Sequence, residues 1–142
     1  MNPLKFVEIA KSVSHLSKDP STKVGAVVLD DHGTILSVGY NGFPRGVVDS
    51  PERYENRELK YKLIAHAEAN AIAQAARVGA TLYGSTLLLT ALYPCSNCAK
   101  LIIQAGIKRV IAPKLSANTR WDEEANFASL LLTEAGVRVE LY

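Results

Sequence analysis

The fold is decided by Ser85-Thr86-Leu87-Leu88-Leu89-Thr90-Ala91-Leu92-Tyr93-Pro94-Cys95-Ser96-Asn97-Cys98 and its continuation Ala99-Lys100-Leu101-Ile102-Ile103-Gln104-Ala105-Gly106-Ile107-Lys108-Arg109-Val110-Ile111-Ala112. Ser85 to Leu92 is an apolar, β-rich run. A helix from about Cys95 to Ala105 follows, stopped by Gly106, and Arg109 to Ala112 forms the next strand. A strand that returns through a helix needs a crossover, and a crossover gives parallel pairing. The same unit recurs in a helix from about Asp122 to Ala135 and a strand from Val137 to Leu141.

Upstream of this unit, Ala65 to Val78 is alanine-rich and ends at Gly79, a helix with a glycine stop. Val24 to Leu29 and Ile35 to Tyr40 are strands joined by Asp30-Asp31-His32-Gly33, an antiparallel hairpin. Leu4, Val7, Ala10, Val13 and Leu16 recur at helical spacing, which predicts an amphipathic helix over residues 3–16 that breaks at Lys18 to Thr22. Asn41 to about Pro51 is a loop. Residues 52–62 alternate charge, either as a solvated helix face with Glu58 and Lys62 paired four apart, or as a subunit or effector contact. The order α-β-β-α-β-α-β-α-β predicts one α/β domain over residues 1–142, a three-layer α/β/α sandwich on a mixed five-stranded sheet.

Composition narrows the function classes. The chain has 142 residues, of which 48% are hydrophobic and 21% charged, which excludes disorder and a disulfide-stapled scaffold. Sixteen Lys+Arg against fourteen Asp+Glu leave no cationic field of the kind that tracks duplex nucleic acid, so no nucleic-acid partner is expected. The stretch Leu82 to Tyr93 is interrupted by Gly84, Ser85, Thr86 and Thr90 and cannot span a bilayer. The start Met-Asn-Pro-Leu-Lys-Phe-Val-Glu carries no apolar h-region. The expected compartment is the cytoplasm, or a host's cytoplasm for a viral chain, with no membrane partner.

Two fragments carry chemistry: His66-Ala67-Glu68 and Pro94-Cys95-Ser96-Asn97-Cys98. Cys95 and Cys98, at i and i+3, fall on one helical face and can grip one ion. Pro94 suits a first helical turn, and the helix N-terminus favours thiolate over thiol. With His66 as a neutral third ligand, Zn²⁺ keeps its fourth tetrahedral position for water, whose pKa falls from about 15.7 to about 7. Glu68 lies roughly 200° around a helix from His66, so the two are poorly placed as neighbouring ligands. A carboxylate beside the metal but not on it suits a proton shuttle. The H-x-E and P-C-x-x-C pair is the zinc deaminase signature. Two plainer readings compete: a redox Cys-x-x-C, which leaves His66 and Glu68 without a role, and a closed structural zinc site. The closed site needs a fourth protein ligand, and His15 and His32 are the only other histidines.

On these motifs the chain resembles the cytidine deaminase-like superfamily, and within it the deoxycytidylate (dCMP) deaminase branch. The resemblance runs through Lys18-Asp19-Pro20-Ser21-Thr22-Lys23-Val24-Gly25-Ala26-Val27, Gly39-Tyr40-Asn41-Gly42-Phe43-Pro44-Arg45-Gly46, His66-Ala67-Glu68-Ala69-Asn70-Ala71-Ile72 and Pro94-Cys95-Ser96-Asn97-Cys98-Ala99-Lys100. It implies the cytidine deaminase-like fold and hydrolysis of dCMP to dUMP and ammonia, which would supply thymidylate synthesis. Glu68 would protonate N3 of cytosine and then the leaving amine.

By motif position Asn41 contacts sugar or base; the alternative is a plain Asn-Gly tight turn. Ser21 and Lys23 are first choices for the 5′-phosphate, against a surface lysine at a strand edge. Relatives carry a tyrosine near the last helix where this chain reads Asn118-Thr119-Arg120-Trp121-Asp122; Arg120 either replaces that phosphate contact or is structural. Residues 43–65 hold no Cys and no His, so the second, structural zinc of some relatives is not expected, leaving one Zn²⁺ per chain. Many members are homohexamers activated by dCTP and inhibited by dTTP, with Mg²⁺ at the triphosphate. The loop with Tyr40, Gly42, Arg45 and Gly46 resembles their effector site, or is simply surface loop. The competing functions are a tRNA or other nucleic-acid base deaminase, and a catalytically silent zinc module used for assembly.

Overall fold

The computed structural model describes residues 2–114 and 122–142. Arg120 and Trp121 lie outside the described residues. The chain opens with a 3₁₀ turn, Pro3–Phe6, capped by the Asn2 side chain, which accepts from Leu4 N–H at 3.1 Å. It runs directly into α1, Val7–Ser14, so the helix expected over residues 3–16 is tighter at its start and shorter at its end. Strands β1 (Gly25–Leu29) and β2 (Ile35–Tyr40) form the antiparallel hairpin, with Gly25 opposite Tyr40 and Ala26 opposite Gly39. In its turn, Asp30 Oδ1 accepts from His32 N–H and Thr34 N–H, each at 2.8 Å.

The charged stretch is not one solvated helix. It breaks into α2 (Pro51–Glu55) and α3 (Arg57–Leu63) at Asn56, whose side chain caps α3 by accepting from Leu59 N–H at 3.1 Å. Glu58 and Lys62 pair in solvent at 3.7 Å, but Lys60 points inward and is only 8% exposed. The helix α4 (Ala67–Val78) ends at Gly79, which is left-handed at φ 79°. Strand β3 (Thr86–Leu89), helix α5 (Ser96–Gln104), strand β4 (Arg109–Ala112), helix α6 (Asp122–Glu134) and strand β5 (Arg138–Leu141) complete the order. The strand expected to run to Leu92 ends at Leu89: residues 90–92 bend away, and Leu92 sits at φ 60°, outside the extended region a ladder needs.

The sheet order is β2-β1-β3-β4-β5, antiparallel on both sides of β1 and parallel from β3 to β5. This is the expected mixed five-stranded sheet. The connections through α4, α5 and α6 all move the same way across it, so the right-handed crossover rule sends all three helices to one face. Their inward residues Ala71, Ala75, Ala99, Ile102, Ala128 and Leu132 share one core with Ala26, Val28, Leu87, Leu89 and Val110. On the other face α1 packs Ala10 against Val27 and Leu29.

A glycine sets each close approach. A Cβ on Gly25 would lie 2.0 Å from the Ala10 carbonyl oxygen of α1, and one on Gly39 would lie 2.4 Å from Ala67 O and Ala71 N of α4. The helices α4 and α5 therefore begin side by side where β2 and β3 end. Among the described residues no helix is long and apolar enough to cross a membrane.

Candidate metal centre and active-site cavity

The two motifs meet where α4 and α5 begin. His66 is the N-cap of α4, extended at φ −74°, ψ 158°, and Cys95 is the N-cap of α5, extended at φ −75°, ψ 170°. Each ligand candidate therefore precedes its helix, and Pro94 stands one residue before the cap, outside the first turn. Cys98, one turn into α5, is buried and donates its backbone N–H to Cys95 Sγ at 3.4 Å.

His66 Nδ1 lies 3.5 Å from Cys95 Sγ and 3.4 Å from Cys98 Sγ, and the three atoms all lie within 4.8 Å of one another. Zinc bonds of about 2.3 Å to sulfur and about 2.0–2.1 Å to nitrogen, opened to the tetrahedral angle, separate S and N by about 3.5 Å. The two nitrogen–sulfur separations thus already match the edges of such a tetrahedron.

Their electrostatics call for a cation. Hydrogen bonding from Cys98, helped by His66 and opposed by burial, brings the Cys95 pKa down to about 4. That thiolate, then burial and the Glu68 charge, push the Cys98 thiol strongly up. With Cys95 as thiolate, a second thiolate at the buried Cys98 beside Glu68 would be repelled, and a divalent ion would relieve that repulsion. The site fits zinc. Among the described residues no fourth His, Cys, Asp or Glu joins the set, so the fourth ligand that a closed structural site requires is not found.

Glu68 lies in the first turn of α4, 6% exposed, and is not one of the clustered ligands. Burial is the main cause that raises its pKa above the usual carboxylate range. It faces a cavity of about 1090 Å³ that also takes in His66, Cys95, Asn41, Ser21 and Lys60. A buried acid with a raised pKa, next to a metal position and open to a cavity, is equipped to hold and release a proton.

The predicted substrate residues separate here. Ser21 and Asn41 line the cavity, whereas Lys23 turns away and donates to the Ser17 carbonyl. Asn41 makes no tight turn: neither it nor Gly42 has positive φ, and Gly42 exchanges backbone hydrogen bonds with Ala65 at 3.1 and 2.8 Å. Its amide is a brace, with Oδ1 accepting from Val24 N–H at 2.9 Å and Nδ2 donating to Thr22 O at 2.8 Å and Asp19 Oδ2 at 3.4 Å.

The residue that sequence reasoning passed over is Lys60. It lines the cavity, and its ammonium donates to the buried Asp19 Oδ1 at 2.9 Å. Asp19 also accepts from Ser21 N–H at 2.8 Å and Thr22 N–H at 3.3 Å. The signal that could have found Lys60 was the Asn56 cap, which resets the helix phase and turns Lys60 inward. None of Tyr40, Gly42, Arg45 and Gly46 lines this cavity; Arg45 instead donates to Gln74 Oε1 on α4 at 2.8 Å, and the Tyr40 carbonyl accepts from Asn70 at 2.7 Å.

Comparison with known proteins agrees with the geometry. Residues 2–114 match the family described as the cytidine and deoxycytidylate deaminase zinc-binding region. An uncharacterized deaminase of Aliivibrio fischeri is 44% identical over 137 residues, covering 95% of this chain and 89% of that one. The deoxycytidylate deaminase of Mus musculus is 42% identical over 140 residues, covering 95% of this chain and 76% of its own length. Among solved structures, the dCMP deaminase of cyanophage S-TIM5 in complex with dCMP and dUMP superposes with a TM-score of 0.77 at 28% identity, over 100% of this chain and 99% of that chain. The chain belongs to the cytidine and deoxycytidylate deaminase family, and is a deaminase built around a site fit for zinc.

Proposed function

We propose that the protein hydrolyses dCMP to dUMP and ammonia. The observation that carries this reading is the meeting of His66, Cys95 and Cys98 in zinc-ready geometry with a buried, unligated Glu68 at the floor of one cavity. The names of relatives add the substrate: deoxycytidylate deaminase in the mouse, and dCMP with dUMP bound to the cyanophage enzyme.

His66, Cys95 and Cys98 would hold zinc, which when bound would supply the acidity that lets a water act as nucleophile near neutral pH. Glu68 takes the proton that this water gives up and delivers it to N3 of the cytosine. A second transfer through the same carboxyl lets the amino group leave C4 as ammonia, and C4 keeps the water's oxygen. Burial suits Glu68 to this cycle because it brings the carboxyl's protonated and ionised forms closer in free energy.

Ser21 and Asn41 border the nucleotide, with Asn41 acting through the wall it braces. Lys60 and Lys114 line the cavity and supply cationic lining for a 5′-phosphate; Arg120 is proposed beside them on the sequence resemblance alone, and Lys23 would have to leave the Ser17 carbonyl to join them. Regulation by dCTP and dTTP with Mg²⁺, in a homohexamer, is proposed on the loop of Tyr40, Gly42, Arg45 and Gly46. The Arg45–Gln74 bond supports it, since a ligand drawing Arg45 away would release this tie to α4, the helix that follows His66 and bears Glu68.

The test is ammonia release from purified protein given dCMP, dCTP, deoxycytidine or a tRNA anticodon stem. Release from dCMP alone supports the proposal. Release from the tRNA stem alone would point to a nucleic-acid base deaminase, and none from any of the four would point to a silent zinc module.

A further inference from the structure

We propose that Glu124, on α6, is a positioning residue for the zinc ligands and acts through Ser96. The inference rests on the zinc site proposed above and is independent of which nucleotide is used. Helix α5 begins at Ser96, so the first-turn N–H groups need acceptors from outside the helical ladder. Ala99 N–H is already bonded to Cys95 O at 2.9 Å, and Cys98 N–H points at Cys95 Sγ at 3.4 Å. Ser96 is held from elsewhere: its N–H donates to Glu124 Oε1 at 2.8 Å and its hydroxyl donates to the same oxygen at 2.5 Å.

An ordinary N-cap side chain fixes the first turn of its own helix. Here the N-cap is Cys95, whose sulfur is committed to the metal position and becomes a poorer acceptor once it shares its lone pairs with a cation. Fixing the turn therefore falls to Glu124. The Ser96 hydroxyl, then its N–H, hold the Glu124 carboxyl below the usual carboxylate range, and what fixes the turn is the placement of Oε1 against both groups. The Cys95–Ser96 peptide is thus clamped between the metal position and α6. The torsions that aim Cys95 Sγ, and through the same turn Cys98, depend on a carboxylate 28 residues away in sequence. Removing such an outer partner of a ligand typically lowers metal affinity about 10- to 100-fold.

The experiment measures zinc affinity of the full chain by competition with a chromophoric chelator, alongside the absorption spectrum of the Co²⁺-substituted protein and thermal melting of the zinc-free protein. Glu124→Ala should weaken zinc binding about 10- to 100-fold and shift the cobalt bands. Glu124→Gln keeps the accepting oxygen and should stay within about threefold of the parent, and Ser96→Ala, which loses one of the two bonds, should fall between.

Lower melting of Glu124→Ala with unchanged zinc affinity and an unchanged cobalt spectrum would make Glu124 a plain helix cap and overturn the proposal. Glu124→Gln failing as badly as Glu124→Ala would also overturn it, by showing that charge and not placement is what matters. If Glu124→Ala does not fold, Ser96→Ala decides, and parental affinity in that variant sinks the idea. A parent protein that binds no zinc would bring down the deaminase reading as well; a parent that binds zinc, with variants that bind it equally well, refutes this inference alone.

Discussion

Replacing Lys60 with alanine isolates the most consequential polar contact behind the cavity. Lys60 Nζ and Asp19 Oδ1 are 2.9 Å apart, and their side chains are 11% and 4% exposed, so solvent screens the pair little. Breaking a buried pair from one side typically costs about 3–5 kcal/mol, because the remaining charge is stranded. Asp19 would keep the Ser21 and Thr22 N–H groups and the Asn41 amide, which places the loss at the lower end, about 3 kcal/mol at neutral pH. For a domain of this size that is roughly a 10 °C drop in Tm.

The pH dependence tests the cause. Burial pushes the Asp19 carboxyl up, but Lys60 and the two backbone N–H groups outweigh it and hold the pKa below the usual value. A lowered folded-state pKa contributes stability that is full above the unfolded value of about 3.9 and is lost as pH falls through the folded value. In Lys60→Ala burial gains the upper hand and the Asp19 pKa rises. The destabilisation should therefore be largest near pH 7.5 and shrink towards pH 5 as the variant's Asp19 takes up a proton. Urea unfolding of both proteins at the two pH values reads this directly. A loss below about 1 kcal/mol, or one that does not change between them, would refute the reasoning.

Three further outcomes follow from the same geometry. Glu68→Ala should keep one zinc per chain by metal analysis while dCMP turnover falls at least about 10²-fold; near-normal turnover would remove Glu68 from its role as proton carrier. Cys95→Ala should lose most of its zinc after dialysis, and an unchanged zinc-to-protein ratio would exclude it as a ligand. Gly25→Ala and Gly39→Ala should both destabilise by about 1–3 kcal/mol, since each new Cβ would meet helix backbone. Only Gly39→Ala, which presses on Ala67 between His66 and Glu68, should also lower zinc content; equal zinc loss in both would mean that α4 placement is not the reason.

The parts of the fold legible in the chain were those written in local periodicity and punctuation. Gly79 and Gly106 stop their helices, Asp30 to Gly33 turn the hairpin, and the strand–helix alternation after Ser85 demands parallel pairing. Less legible were the places where one side chain changes a helix phase or ends a strand. Asn56 splits a charged stretch that looks uniformly solvated, and β3 stops at Leu89, before the bends that lead to a left-handed Leu92. Periodicity has no term for either.

The chemistry divides along the same line. His66, Glu68, Cys95 and Cys98 could be picked out by sequence alone, because metal ligation and proton transfer demand particular side chains at particular local spacings. What brings the two pairs to one point is non-local: β2 and β3 flank β1, run parallel to each other and end at the same end of the sheet, and Gly39 lets α4 lie close against it. Only the packed chain decided that Lys60 is a buried cation, that Lys23 is occupied by Ser17, and that Glu124 reaches across from α6 to Ser96. Burial, and the hydrogen bonds between distant segments that it makes necessary, are properties of the whole packing and are not carried by any one stretch of residues.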